Sequence, residues 1–444
     1  MIQIDETHDP ALESFIESAN DPNGDFPVQN LPFGTARRGA DGKTFCAVAI
    51  GDRVMKLRAA EESGLFDDLS AELRDAVRAS NLNKLMALGR GPARELRLAL
   101  SRLLRRGSSL ENDTATVDHV LLAMDEVELL VPARIGDYTD FYASVHHATN
   151  VGSMFRPDNP LLPNYKWIPI GYHGRASTIV PSGTPIHRPS GQRRPDPEKD
   201  PVVEPCKLLD YELEIGIFFG GEHTMGTTIP IEEAEEHLFG LCLLNDWSAR
   251  DMQAWEYQPL GPFLAKSFAS TVSPWIVTAD ALAPFRVAPP ARPDGDPAPL
   301  PYLAGGEAKG AFDLTVSAHL ATAKMRSEGL GAQRLSTGSF KDMYWTPAQM
   351  ITHHASNGCW MKAGDLLGSG TVSGPKESAR GCLLEITWRG RDTIALPSGE
   401  ERTFLLDGDE LALTAHCEAD GARRIGFGPC TGTIVDAPAE RANG

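Results

Sequence analysis

The chain has 444 residues, 41% hydrophobic, 23% charged and 7% aromatic, and its 42 basic against 60 acidic side chains leave a formal charge of −18. That length exceeds what one core usually fills, so about two domains are expected, and the apolar content excludes intrinsic disorder as the main state. The acidic excess is spread along the sequence and repels phosphate backbones and anionic lipid alike, so neither nucleic acid nor a membrane is expected as a partner.

The opening segment carries Asp5, Glu6 and Asp9 where an export signal needs basic residues and then an apolar run. No apolar stretch approaches the ~20 residues of a membrane span. The seven cysteines (46, 206, 242, 359, 382, 417 and 430) include no CxxC, so they read as buried thiols of a reducing cytoplasm rather than a disulfide framework or zinc cluster. Residues 45–57 (FCAVAIGDRVMKL) form two β-prone segments around Gly51-Asp52, after another turn signal at Asp41-Gly42, which predicts a small antiparallel unit. Apolar residues then recur at helical spacing over 69–88 and 92–105. The arginines of the second helix (Arg94, Arg97, Arg102, with Arg105 and Arg106 after it) read as a solvated face rather than a binding surface.

Beyond residues 125–133 the character changes to short β-prone runs punctuated by Gly, Pro and Asn, which divides the chain into domains 1–130 and 131–444. Runs at 178–186, 210–220, 383–390 and 404–417 are expected as strands, 230–238 and 347–354 as helices, and the proline-rich stretches 186–205 and 284–301 as loops. The larger domain is therefore predominantly β, in a mainly β (α+β) protein.

Within DYELEIGIFF (210–219), period-two geometry sends Glu212 and Glu214 to one face and Tyr211, Leu213, Ile215 and Ile217 to the other. A lone E-x-E usually lies on a solvated edge, but this segment is apolar on both sides. Burying two like charges costs several kcal/mol per ion unless something neutralises them, and a divalent cation does so best. Asp140 in DYTDFY and Asp246 in LLNDWSARD lie in segments of similar character. An all-oxygen set selects a hard ion, Mg²⁺ or Ca²⁺, over zinc. Two histidine doublets occur, His146-His147 and His353-His354. His147, in the loop-like stretch HATNVG, suits a general base near neutral pH, whereas His353 and His354 read as structural residues of a helix.

The blocks IGDYTDFYASVHHATNVGSMFR (135–156), LLPNYKWIPIGYHGRAST (161–178), LLDYELEIGIFFG (208–220), LNDWSARDMQAWEYQPLGPFLAKSF (244–268), MYWTPAQMITHHASNGC (343–359) and GSGTVSG (368–374) resemble the fumarylacetoacetate hydrolase family in order and spacing, as does LPFGTA near residue 31. The resemblance implies a small SH3-like N-terminal β-barrel followed by a larger mixed β-roll, in a homodimer. It also implies a metal-dependent hydrolase that splits 4-fumarylacetoacetate, a small diketo dicarboxylate, into fumarate and acetoacetate, the last step of tyrosine and phenylalanine degradation. The family's metal ligands fall on Asp140, Glu212, Glu214 and Asp246, its catalytic base on His147 and the carboxylate orienting that base on Glu385. Substrate contacts fall on Tyr142, Arg156, Tyr172, Gln253, Tyr257 and Thr371, with Arg250, Gln253 and Lys266 near the leaving group. Where the family has threonine near an additional magnesium contact this chain has Ser270, so a ligand role for Ser270, with Lys266 nearby, is in doubt. A protonated lysine side chain cannot ligate a cation, and any such contact at Lys266 would come from its backbone carbonyl. Two rival readings are acylpyruvate hydrolysis, or dicarboxylate decarboxylation or isomerisation, on the same fold, and non-enzymatic calcium binding, which has no use for His147, Glu385 and Lys266 together.

Overall fold

The computed structural model describes residues 2–40, 42–305 and 309–438; of the first turn signal, Asp41 lies outside them. The β unit forms as its pattern predicts: strands Phe45–Ile50 and Arg53–Lys56 pair antiparallel around Gly51, whose φ of +54° is the left-handed backbone the turn requires. Strand Phe33–Arg37 pairs with Phe45–Ile50 on one side and with Trp275–Thr278 on the other, so the N-terminal strands join the sheet of the larger domain. That sheet has 13 strands among the described residues, with the Phe33–Arg37, Trp275–Thr278, Leu238–Asp246, Leu213–Phe219, Leu366–Gly368 and Tyr138–Phe141 strands side by side in that order. A 6-stranded sheet, centred on Thr315–Ala321 and Glu410–Cys417, covers it. The molecule is mixed α/β and mostly strand.

Strand Leu213–Phe219 shows why the central sheet is firmly placed. Leu213, Ile215, Ile217 and Phe219 enter one core, shared with the 6-stranded sheet, while Phe218 enters a second core shared with the N-terminal strands and helices. Full burial of each such side chain contributes roughly 1.5–3 kcal/mol, and a one-residue slip of register would exchange the two sets.

The Arg-rich helix runs Arg90–Leu104. Its arginines hold the N-terminal arm: Arg94 pairs with Asp5, Arg102 and Arg105 with Glu6, and buried Arg97 bonds Thr7 and the Gln29 carbonyl. Several expectations change. Arg97 is buried rather than part of a solvated face, residues 230–238 give only the 3-10 turn Ala234–His237 before strand Leu238–Asp246, and 284–301 contains the short strand Arg286–Val287. Residues 69–88 form two helices, Ala71–Val77 and Asn83–Ala87, because Ser80 and Asn81 favour turns over a continuous helix. The stretch 186–205 contains a ribbon, Ser190–Arg193 with Val202–Pro205, which the prolines flank or end. HATNVG is helical, within Val145–Phe155. Residues 383–390 are not a strand but a short helix, Leu383–Ile386, and a turn with Trp388 and Arg389 at positive φ.

Candidate active site

Three parallel or antiparallel neighbours bring the acidic residues together. Asp140 pairs with Gly368 across a parallel ladder, Gly368 with Gly216 across an antiparallel one, and Glu214 lies two residues before Gly216 on the same face. Asp246 ends the next strand. One carboxylate oxygen from each of Asp140, Glu212, Glu214 and Asp246 can be chosen so that all lie within 4.8 Å of one another, and all four residues are buried. Gly368 is required by this convergence, since a Cβ there would stand 2.9 Å from Glu214 Oε2 and 3.0 Å from Asp140 Oδ1.

Two cations enter the set. Lys266 Nζ donates to Glu212 Oε2 at 2.5 Å and to Asp246 Oδ2 at 2.8 Å. Arg250 Nη1 lies 2.7 Å from Glu212 Oε1 and 3.1 Å from Gln253 Oε1. Tyr172 and Ser270 donate their hydroxyls to Asp246, at 3.2 and 2.7 Å. Asp140 Oδ1 and Glu214 Oε1 remain buried with no hydrogen-bond partner. Burial, and then the neighbouring carboxylates, push the Asp140 and Glu214 carboxyls well above their ordinary range. Burial also works to raise Glu212, but Lys266 and Arg250 outweigh it and hold that carboxyl at about 2. Two unpartnered buried oxygens in a set with surplus negative charge fit an oxygen-liganded divalent cation, which would satisfy both and displace their protons.

His147 stands in the first turn of the helix Val145–Phe155, where Ser144 accepts the His147 amide at 3.1 Å and caps the helix. Further on, Gly152 lets Pro160 pack against the helix, since a Cβ would fall on the Pro160 carbonyl. His147 Nδ1 is bonded to Glu385 Oε2 at 2.6 Å, and both side chains are buried. Glu385 also accepts from Asn150 Nδ2 at 2.8 Å, Ser373 Oγ at 2.8 Å and the Cys382 thiol at 3.3 Å. Burial alone would raise the Glu385 carboxyl; the His147 charge and these hydrogen bonds hold it at about 2 instead. The fixed carboxylate orients the imidazole through its Nδ1. Tyr142 packs edge-on against the His147 ring, centroids 5.2 Å apart, and Thr371 Oγ1 is buried without a partner.

Nine sequence-derived residues thus form one polar set (Asp140, Glu212, Glu214, Asp246, Lys266, Arg250, Gln253, Tyr172 and Ser270), and His147 with Glu385 a second. Arg156 is exposed and bonds the Pro160 carbonyl, and Tyr257 reaches the first set only by a backbone bond from its amide to the Gln253 carbonyl at 3.0 Å among the described residues. His353 and His354 bond Tyr302 and Thr139, in keeping with structural roles. Ser144, Ser373 and Asp210 were not legible as site residues. Single serines carry no spacing signal, and Asp210 looked like the polar start of a strand.

The Fumarylacetoacetase N-terminal family profile matches residues 29–132, and the Fumarylacetoacetate (FAA) hydrolase C-terminal profile matches residues 137–435. The chain is 47% identical over 427 residues to the fumarylacetoacetase of Bos taurus, covering 96% of this chain and 99% of that one. It is 46% identical over 429 residues to that of Arabidopsis thaliana, with the same coverage. A solved fumarylacetoacetate hydrolase from psychrophilic Exiguobacterium antarcticum is similar at 18% identity and a TM-score of 0.49, covering 92% of this chain and 100% of that one. Matched along both halves by the family's own profiles and by relatives of nearly equal length, the chain belongs to the fumarylacetoacetase family.

Proposed function

We infer that this chain is a fumarylacetoacetase: it hydrolyses fumarylacetoacetate to fumarate and acetoacetate in tyrosine catabolism. The observation that carries this reading is the buried His147–Glu385 pair standing in the same site region as a buried four-carboxylate set, in a chain that aligns with fumarylacetoacetases over 96% of its length. Charge in the site bears on the substrate. The protein is strongly acidic, so a dianion needs local cations, and Arg250 and Lys266 are buried among the carboxylates where desolvation strengthens their field.

In the mechanism the site supports, His147 takes a proton from water while Glu385 holds the imidazole and stabilises the imidazolium. The oxygen nucleophile so formed attacks the carbonyl carbon next to the fumaryl unit. The bond from that carbon to the acetoacetyl carbon then breaks. Its electron pair leaves on acetoacetate as an enolate, which Lys266, Arg250 and Gln253 stabilise until a proton returns to carbon. Asp140, Glu212, Glu214 and Asp246 would hold a divalent cation, Mg²⁺ or Ca²⁺, which would supply Lewis acidity and a template for the substrate. Lys266 and Ser270 act on the quartet through hydrogen bonds to its carboxylates. Tyr142, Tyr172 and Thr371 line the substrate, with Arg156 and Tyr257 at the rim for its outer carboxylate.

The same reading extends to architecture. An SH3-like N-terminal unit is supported by the 3-10 turn Met124–Glu126, after which Glu128–Leu129 returns to pair with Phe33–Arg37. A β-roll for the larger domain, a boundary at 130/131 and a homodimer complete the proposal. The free cysteines suit a cytoplasmic location, and no described helix is long and apolar enough to cross a membrane. The test is loss of absorbance of enzymatically made fumarylacetoacetate with acetoacetate assayed among the products. Turnover of acylpyruvates but not of this substrate would sink the assignment.

A further inference from the structure

Asp210 is a fully buried carboxylate that the chemistry above leaves unused. Its Oδ1 accepts from the Tyr211 amide at 2.8 Å and the Leu383 amide at 2.7 Å. Its Oδ2 accepts from the Leu384 amide at 2.9 Å and Arg250 Nε at 2.8 Å. Leu383 and Leu384 open the helix Leu383–Ile386 that carries Glu385, and the residue before them, Cys382, provides no side-chain cap. Arg250 opens the helix Arg250–Glu256 and reaches Glu212 and Gln253 with Nη1, while its Nη2 is buried without a partner. One side chain therefore holds the turn that places Glu385 and the guanidinium that faces the acidic quartet.

We propose that Asp210 is a positioning residue that fixes Glu385, and through it His147, relative to Arg250 and the quartet. The inference rests on the His147–Glu385 reading given above. Only an ionised carboxylate suits the position, because it is all acceptor and can take four donors on two oxygens. Asparagine offers a single acceptor oxygen and turns an NH₂ group toward amides or a guanidinium that also donate. The Leu383–Ile386 turn and Arg250 would then shift apart, and a misplacement of about 1 Å at a catalytic group costs on the order of 10²-fold in rate.

The experiment is steady-state kinetics of full-length Asp210→Asn with saturating Mg²⁺ or Ca²⁺, in the wild-type and the Glu385→Gln backgrounds. The expected result in the wild-type background is a kcat lower by roughly 10²-fold, with the larger part of the change in kcat rather than KM. In the Glu385→Gln background the added loss shrinks well below that factor, because one of the two groups being positioned is already disabled and only the part carried by Arg250 remains. The downfield proton of the 2.6 Å His147–Glu385 bond should broaden or move in Asp210→Asn. Should Asp210→Asn give no folded protein, Asp210→Ser, which leaves space for a water to accept the freed donors, carries the same comparison. Unchanged kcat in a folded variant, or the same factor lost in both backgrounds, overturns the inference. If Glu385→Gln alone leaves kcat intact, it is the dyad reading that fails instead.

Discussion

At the scale of single residues, the site holds two buried carboxylate environments pushed in opposite directions. Glu385 is surrounded by donors and held at about 2, whereas Asp140 and Glu214 lack enough donors and sit well above the ordinary carboxylate range. Glu385→Gln keeps the side chain's size but removes the charge that stabilises the imidazolium, so kcat should fall roughly 10²-fold or more with metal affinity unchanged. His147→Ala should fall at least as far, and the double variant little further. Single-turnover kinetics on all three would reveal fully additive losses if the two residues do not act as a unit. In the quartet, Asp246→Asn removes one charged ligand and keeps a single acceptor oxygen, which can face Lys266 while the Ser270 hydroxyl turns to accept from the new NH₂ group. Calorimetric titration with Mg²⁺ and Ca²⁺ should show weaker binding, and unchanged affinity for both ions would move the metal elsewhere. The candidate quartet was legible in the sequence because carboxylates amid apolar strand residues are costly. The numbers of donors around each were not, since most of them come from other strands and helices that packing brings alongside.

At the scale of elements, each part of the site is set by a close approach. Gly368 stands between the Asp140 and Glu214 strands, and Gly368→Ala would press a methyl group against both carboxylates. The prediction is weakened metal binding by calorimetry in a protein that still folds; unaltered affinity would mean that the strands can separate without cost. Helix Val145–Phe155 was read as a loop because Thr149, Asn150 and Gly152 are poor helix formers. It forms because Ser144 caps it and Pro160 packs on Gly152, both contacts outside the helix's own pattern. Leu383–Ile386 was misread for a related reason. Its β-branched and aromatic neighbours favour a strand, but Asp210 binds its first two amides and turns the chain into a helix.

At the scale of the whole molecule, metal, protons and stability are linked. The raised carboxyls Asp140 and Glu214 keep their protons in the folded, metal-free chain above the ordinary values of 3.8 and 4.5. Their contribution to stability is full below those values and is lost as pH rises through the folded values. A cation replaces those protons, so the rise in Tm on adding Ca²⁺ or Mg²⁺ should grow as pH increases from about 4 toward neutrality. Glu385 and Glu212, held at about 2, act with the opposite sign: their contribution is present above 4.5 and fades as pH falls toward 2. Melting curves with and without metal across pH 4–8 provide the check, and a metal-induced shift independent of pH would contradict it. The sequence by itself determined the strand-rich class, the antiparallel β unit, the four candidate acidic residues and the family resemblance, because periodicity, turn residues and contiguous blocks are local properties. Only the tertiary structure decided that Lys266 and Arg250 enter the quartet, that the Arg-rich helix grips the N-terminal arm, and that Asp210 bonds both Arg250 and the first amides of the Leu383–Ile386 helix. Those contacts join residues distant in the chain, and their partners are chosen by how the sheets and cores pack.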